Sequence, residues 1–126
     1  MPDTHPVYIV DDDPLIRGWL ESFCEDQGLA SRSFASGEEF VRALDELEPG
    51  CVLLDMRMPR GGGLQVQAEL ARRGTAMPVI AMTGYGDVDV AVQSMRLGAL
   101  DFLEKPIGID VLQAAIEAAF QRLEKG

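Results

Sequence analysis

Several residue types are scarce in this sequence. It has one histidine, one tryptophan and two cysteines in 126 residues. Cys24 and Cys51 are too few and too far apart for a zinc site or a disulfide framework. Reduced thiols are expected, with Cys51 at least buried. Apolar runs are short, and none reaches the roughly 20 residues needed to span a bilayer. The N-terminus, Met1 to Pro6, has neither the basic nor the apolar region of a signal peptide, which points to a cytoplasmic protein. Positive charge is scarce as well: 11 Lys and Arg face 21 Asp and Glu, for a net charge of −10. That balance disfavours nucleic acid and anionic membrane as partners of this domain. The length suits one domain with a real core and leaves no room for a second of ordinary size.

What the sequence does have is a regular alternation. Short apolar runs occur at Val7-Tyr8-Ile9-Val10, Cys51-Val52-Leu53-Leu54 and Val79-Ile80-Ala81-Met82, with weaker ones at Ala30 to Phe34 and Leu100 to Leu103. Three are apolar throughout, as strands covered on both faces tend to be. Helical patterns fill the gaps. Asp13 can cap a first helix with Pro14 at its first position. Leu15, Ile16, Trp19, Leu20 and Phe23 then recur at helical spacing, and Gly28 stops it. Ser36 or Gly37 opens a second helix, with Phe40, Val41, Leu44 and Leu47 inward, before Pro49-Gly50. A third runs from Gly63 or Leu64 to Arg73, and a fourth from Asp87 to Leu97, followed by Gly98. A fifth starts near Ile109 with Leu112, Ile116, Phe120 and Leu123 along one stripe. Five strand-helix repeats with short links predict an α/β fold: a doubly wound, five-stranded parallel sheet in the flavodoxin-like order 2-1-3-4-5. Ligands of such sheets bind beyond the carboxyl ends of the strands.

The residues at those ends carry the chemistry. The first strand ends in Asp11-Asp12-Asp13, the third in Asp55, the fourth in Thr83-Gly84, and the fifth leads to Lys105-Pro106. Converging carboxylates repel unless a cation joins them, and hard oxygen ligands suit Mg²⁺. Lysine and hydroxyl opposite the acids can bind phosphoryl oxygens, and glycine lets backbone N–H groups approach. Together they form a phosphoryl-transfer site with a carboxylate nucleophile. Taken singly, each residue has an ordinary explanation as a helix cap, loop acid, strand end or surface charge. Their joint placement at four strand ends does not.

Val10-Asp11-Asp12-Asp13-Pro14, Leu54-Asp55-Met56-Arg57-Met58-Pro59 with Gly63, Met82-Thr83-Gly84 and Glu104-Lys105-Pro106 resemble the receiver domains of two-component response regulators. The resemblance covers residues 6 to 124, read as a single receiver domain. Thr83-Gly84-Tyr85-Gly86-Asp87-Val88 and Gly98 to Pro106 look most like the FixJ-type and NtrC-type members. The resemblance implies that Asp55 accepts a phosphoryl group from a sensor histidine kinase or phosphotransfer protein. It implies a Mg²⁺ site, with Mn²⁺ as the alternative, from Asp12, Asp55 and the Arg57 carbonyl, Asp11 acting through a bound water. It gives Lys105, the Thr83 hydroxyl and the N–H groups of Met56 and Gly84 to the phosphoryl oxygens. It implies a cis peptide before Pro106, a loop shaped by Pro59 and Gly63, and a switch in which Thr83 moves to the phosphate and Phe102 turns inward. The face built by the fourth helix, fifth strand and fifth helix would then change its affinity for partners. Moving such an equilibrium from 1:99 to 99:1 needs about 5.5 kcal/mol of differential interaction.

Other residues carry secondary readings. Arg57 and Tyr85 each lie two positions beyond a key residue and are read as tuning the phosphoryl lifetime or as pointing to solvent. Ile16 and Trp19 are read as core packing or as a kinase-docking pair. His5, in the tail, is a poor phosphodonor, so the donor is another protein. A haloacid-dehalogenase-like phosphatase wants a second Asp where this chain has Arg57. A flavodoxin needs a phosphate-cradling loop where this chain has three aspartates. Phosphorylation-linked homodimerisation is a family expectation. The chain reads either as a stand-alone regulator or as the receiver part of a longer one.

Overall fold

A computed structural model describes residues 4–59, 62–84 and 86–125. Among them, five strands alternate with five α-helices: β1 (Val7–Val10), α1 (Pro14–Asp26), β2 (Ser31–Phe34), α2 (Gly37–Ala43), β3 (Cys51–Asp55), α3 (Gly62–Arg72), β4 (Val79–Thr83), α4 (Val88–Arg96), β5 (Asp101–Glu104) and α5 (Ile109–Lys125). A turn of 3-10 helix, Leu44–Glu46, follows α2. The strands form one parallel sheet in the order β2-β1-β3-β4-β5, as the alternation predicts.

Side chains alternate across a strand, so an unbroken apolar run supplies two cores. Val7, Ile9, Cys51, Leu53, Ile80 and Met82 join Leu20 and Phe23 of α1 and Leu112, Ile116 and Phe120 of α5. Their neighbours Tyr8, Val10, Val52, Leu54, Val79 and Ala81 join Phe40 of α2 and Val66 and Leu70 of α3. Residues of β1, β3 and β4 are thus buried throughout, whereas β2 and β5 at the sheet edges are largely exposed.

Helix starts follow the capping rules. The Asp13 carboxylate accepts from the Leu15 N–H at 2.9 Å, with Pro14 in the first turn. The Ser36 hydroxyl accepts from the Glu39 N–H at 3.1 Å. Helix boundaries fall within about two residues of those expected, except that α2 gives way to the 3-10 turn before Pro49. Cys24 and Cys51 are both buried and unpaired. Burial pushes the Cys24 thiol up to about 11 and the Cys51 thiol higher still. No helix among the described residues is long and apolar enough to cross a membrane.

Leu53, at 0% exposure on the central strand, is a test of this packing, and Leu15, at 81%, is its control. Leu53→Ala is expected to cost about 2–5 kcal/mol in urea unfolding, against about 0.5 kcal/mol or less for Leu15→Ala. Equal losses would mean that β3 is not the core strand.

Candidate functional site

Parallel register assembles the site. Val10 pairs with Leu54, so the residues that follow or close those strands, Asp11 and Asp55, lie side by side. Asp55 pairs with Met82, and Thr83 with Glu104, which places Thr83 and Lys105 one step beyond. All lie at the carboxyl edge, beside the point where the strand order reverses between β1 and β3.

Local bonds then fix the acids. Asp11 is fully buried, and its Oδ1 accepts from the Asp13 N–H at 2.9 Å. Arg17, one turn into α1, donates to the Asp11 carbonyl at 2.8 Å. Asp12 is exposed. Asp55 is 4% exposed, and its Oδ1 accepts from the Arg57 N–H at 3.3 Å. Carboxylate oxygens of Asp11, Asp12 and Asp55 all lie within 4.8 Å of one another. Three hard oxygen donors at that spacing fit a small divalent cation.

Lys105 holds the crowded acids together. Its ammonium lies 2.9 Å from Asp11 Oδ2 and 3.4 Å from Asp55 Oδ1. Burial works against the ammonium, but the hydrogen bond to Asp11 and the charges of Asp55 and Asp11 outweigh it and raise its pKa. Burial and the neighbouring Asp11 push the Asp55 carboxyl above the usual range, against the pull of Lys105. The Lys105–Pro106 peptide is cis, and the Lys105 N–H donates to the Thr83 carbonyl at 2.7 Å.

Other candidate residues sit apart from this cluster. The Thr83 hydroxyl is buried and makes a long contact, 3.5 Å, with the Leu103 carbonyl. Thr83 lines a groove with Ala91, Met95 and Phe102, and Phe102 is 43% exposed. The Met56 N–H is committed to the Met82 carbonyl at 3.0 Å, and the Gly84 N–H to Asp87 Oδ2 at 3.3 Å. Use of either amide for another anion requires giving up those bonds. Pro59 is exposed. Gly63 packs on the loop after β3: a Cβ there would lie 2.9 Å from the Asp55 carbonyl oxygen. Ile16 and Trp19 line a shallow pocket with Lys105, Pro106 and Ile107. Tyr85 lies outside the described residues.

Sequence reasoning missed two contacts. Arg17 carried no motif, although a basic residue one turn into α1 was a usable sign. Asp87 had been read only as the start of the fourth helix. Its carboxylate instead receives Arg57 in a two-pronged pair, Nε at 2.9 Å and Nη2 at 2.5 Å. The Arg57 hydrogen bonds hold the Asp87 carboxyl below its usual range.

The family profile described as "Response regulator receiver domain" matches residues 7–117. The chain is 44% identical over 97% of its length to the transcriptional regulatory protein FixJ of Azorhizobium caulinodans, and spans 58% of that relative. It is 38% identical to the DNA-binding transcriptional regulator NtrC of Escherichia coli over 94% of its own length and 25% of the relative's. The chain thus spans little more than half the length of the FixJ relative, and less of NtrC. A crystal structure of FixJ-N superposes with a TM-score of 0.90 at 36% identity, covering 96% of both chains.

Charge crowding at Asp55 has a measurable sign. The folded chain binds the Asp55 proton more tightly than the unfolded chain, so this group costs stability as pH rises from the ordinary carboxylate range through its raised folded value. In EDTA, Asp55→Asn is expected to raise the urea midpoint near neutral pH. The gain should vanish at about pH 3, where the carboxyl is uncharged in both states. A variant less stable than the wild type near neutral pH would refute this account.

Proposed function

The chain belongs to the response regulator receiver domain family of two-component systems, and from that premise we propose that Asp55 is its phosphoacceptor. The donor is a sensor histidine kinase or a phosphotransfer protein. One observation carries the reading: a buried Asp55 carboxylate beside Asp11, with the Lys105 ammonium in contact with both. In the transfer, an Asp55 oxygen forms the new P–O bond as the P–N bond to the donor histidine breaks. The bonding pair leaves with the imidazole. Lys105 already stands where negative charge gathers on the phosphoryl oxygens.

Asp11, Asp12, Asp55 and the Arg57 carbonyl would hold Mg²⁺, or Mn²⁺, which when bound neutralises charge between acceptor and phosphoryl oxygens. The product adds about −1.5 to −2 of charge. That charge recruits the Thr83 hydroxyl from its weak contact with Leu103, and Phe102 turns inward from the groove that both residues line. The readout is the face of α4, β5 and α5, where Val88, Val92, Met95, Phe102 and Val111 stand exposed. A patch of that kind suits a protein partner, including a second copy of this domain when phosphorylated. Ile16 and Trp19 beside Pro106 and Ile107 support docking of the kinase or phosphotransfer protein. Residues 6 to 124 act as one cytoplasmic receiver domain. It is a phosphoacceptor that catalyses its own phosphorylation and hydrolysis rather than turnover of a substrate. Its acidic surface disfavours direct contact with nucleic acid or membrane. Arg57 and Tyr85, each two positions beyond a site residue in the sequence, set the phosphoryl lifetime.

Incubation with Mg²⁺ and a small phosphodonor, followed by intact mass measurement, tests the acceptor. The wild type is expected to gain one phosphoryl group and Asp55→Ala none. Gain by Asp55→Ala, or by neither protein, sinks the reading. For lifetime, the double variant Arg57→Ala, Tyr85→Ala is expected to change the dephosphorylation rate; an unchanged rate removes both residues from that role.

A further inference from the structure

Asp87 occupies the N-cap position of α4 but does not cap it. Asp13 and Ser36, at the same position of α1 and α2, have extended backbones and accept from the first turn of their helices. Asp87 has ψ 54° and no such bond. Its carboxylate faces the other way. It takes both prongs of the Arg57 guanidinium and the Gly84 N–H. Arg57 lies two residues beyond Asp55, and Gly84 directly follows Thr83. In the resting chain one carboxylate therefore holds two donors suited to an anion at Asp55.

We propose, building on the phosphoacceptor reading, that Asp87 is an internal surrogate for the phosphoryl group, and that phosphorylation displaces it to cap α4. A phosphoryl group offers more charge and three acceptor oxygens, and it draws away Arg57 and the Gly84 amide. The tie it breaks is a two-pronged ion pair at the surface, with the Arg57 side chain 62% exposed and the Asp87 side chain 17%, and a pair so placed costs less to open than a buried one. The released Asp87 carboxylate then reaches the N–H groups of Asp89 and Val90, which have no side-chain cap among the described residues and are where an N-cap acts. Asp87 is thus a positioning residue that links occupancy of the acceptor to the seat of α4. That seat leaves buried polar atoms unsatisfied on its other side. Gln67 of α3 donates to the Ser94 carbonyl at 3.1 Å, but its own Oε1 and the buried Ser94 hydroxyl have no partner among the described residues.

Amide hydrogen exchange at Asp89 and Val90 tests the link, first without phosphoryl. Arg57→Ala should slow exchange there severalfold in the resting state, because Asp87 is free to cap, whereas Asp87→Ala should not. In the wild type, Mg²⁺ with beryllium fluoride, a phosphoryl mimic, should produce the same slowing. Asp87→Asn, which keeps a capping oxygen but loses the charge, should bind that mimic about 2- to 5-fold more tightly, the worth of one exposed ion pair. Trp19, beside Lys105, reports the titration. Unchanged exchange in Arg57→Ala, or unchanged or weaker binding by Asp87→Asn, overturns the proposal. Failure of the parent reading is told apart by intact mass: the wild type then gains no phosphoryl group, while the resting-state exchange still decides whether Arg57 withholds Asp87 from α4.

Discussion

The structure turns on one ammonium between two buried carboxylates. Asp11 and Asp55 are forced together by the register of β1 and β3, and neither has access to enough water to dissipate its charge. Lys105, brought to the same edge by β5, joins them across 94 and 50 residues of sequence. The arrangement is strongly held yet incompletely balanced: two carboxylates face one ammonium, with Asp12 adding a third at the rim. Such a site favours further positive charge and lets an anion approach only through it. On the proposed function, electrostatics would therefore set the order as cation first and phosphoryl group second.

The alternation of the strands divides the site between the two faces of the sheet. Asp11 and Asp55 share the parity of Ile9 and Leu53, whose side chains pack under α1 and α5. Thr83 shares the parity of Val79 and Ala81 and opens on the groove that Ala91 and Phe102 also line. Asp55 and the Thr83 hydroxyl, proposed as acceptor and sensor, thus start on opposite sides of one sheet edge. A ligand at Asp55 that recruits Thr83 draws on the α4 side of the molecule directly, with no relay through the core. This is the economy of a site built at strand ends: a one-residue step in register changes the face.

Much of this was legible in the residues. Three unbroken apolar runs announce buried parallel strands, because only a strand covered on both faces dispenses with polar positions. Asp13-Pro14 announces a helix start, since one residue supplies a cap and the next a pre-set φ. From those two facts three strand ends follow, and with them Asp11, Asp55 and Thr83; Lys105 was reached through the weaker run Leu100 to Leu103. What stayed hidden depends on rotamers and on pairs far apart in sequence. Nothing in the spacing says that the Phe102 ring points out, or that Thr83 leans on Leu103. Nothing local joins Arg57 to Asp87 across 30 residues. Asp87 was misleading for a physical reason: its type and position fit an N-cap, but a guanidinium outcompeted the helix for its carboxylate.

That competition explains why a weak contact belongs here. A deeply buried salt bridge between the two loops would cost too much to open, because separating its partners would strand charge in a poor dielectric. A pair at the surface, one partner mostly in water, costs less to break and less to restore. Its geometry is specific, since the forked guanidinium and the Gly84 amide both meet one carboxylate. The strong contacts of this chain, those of Lys105 with Asp11 and Asp55, hold the acids of the site together. The weaker one, Arg57 with Asp87, is the contact whose loss would, in the proposed switch, release the start of α4. A two-state element needs both kinds, and needs them on different residues.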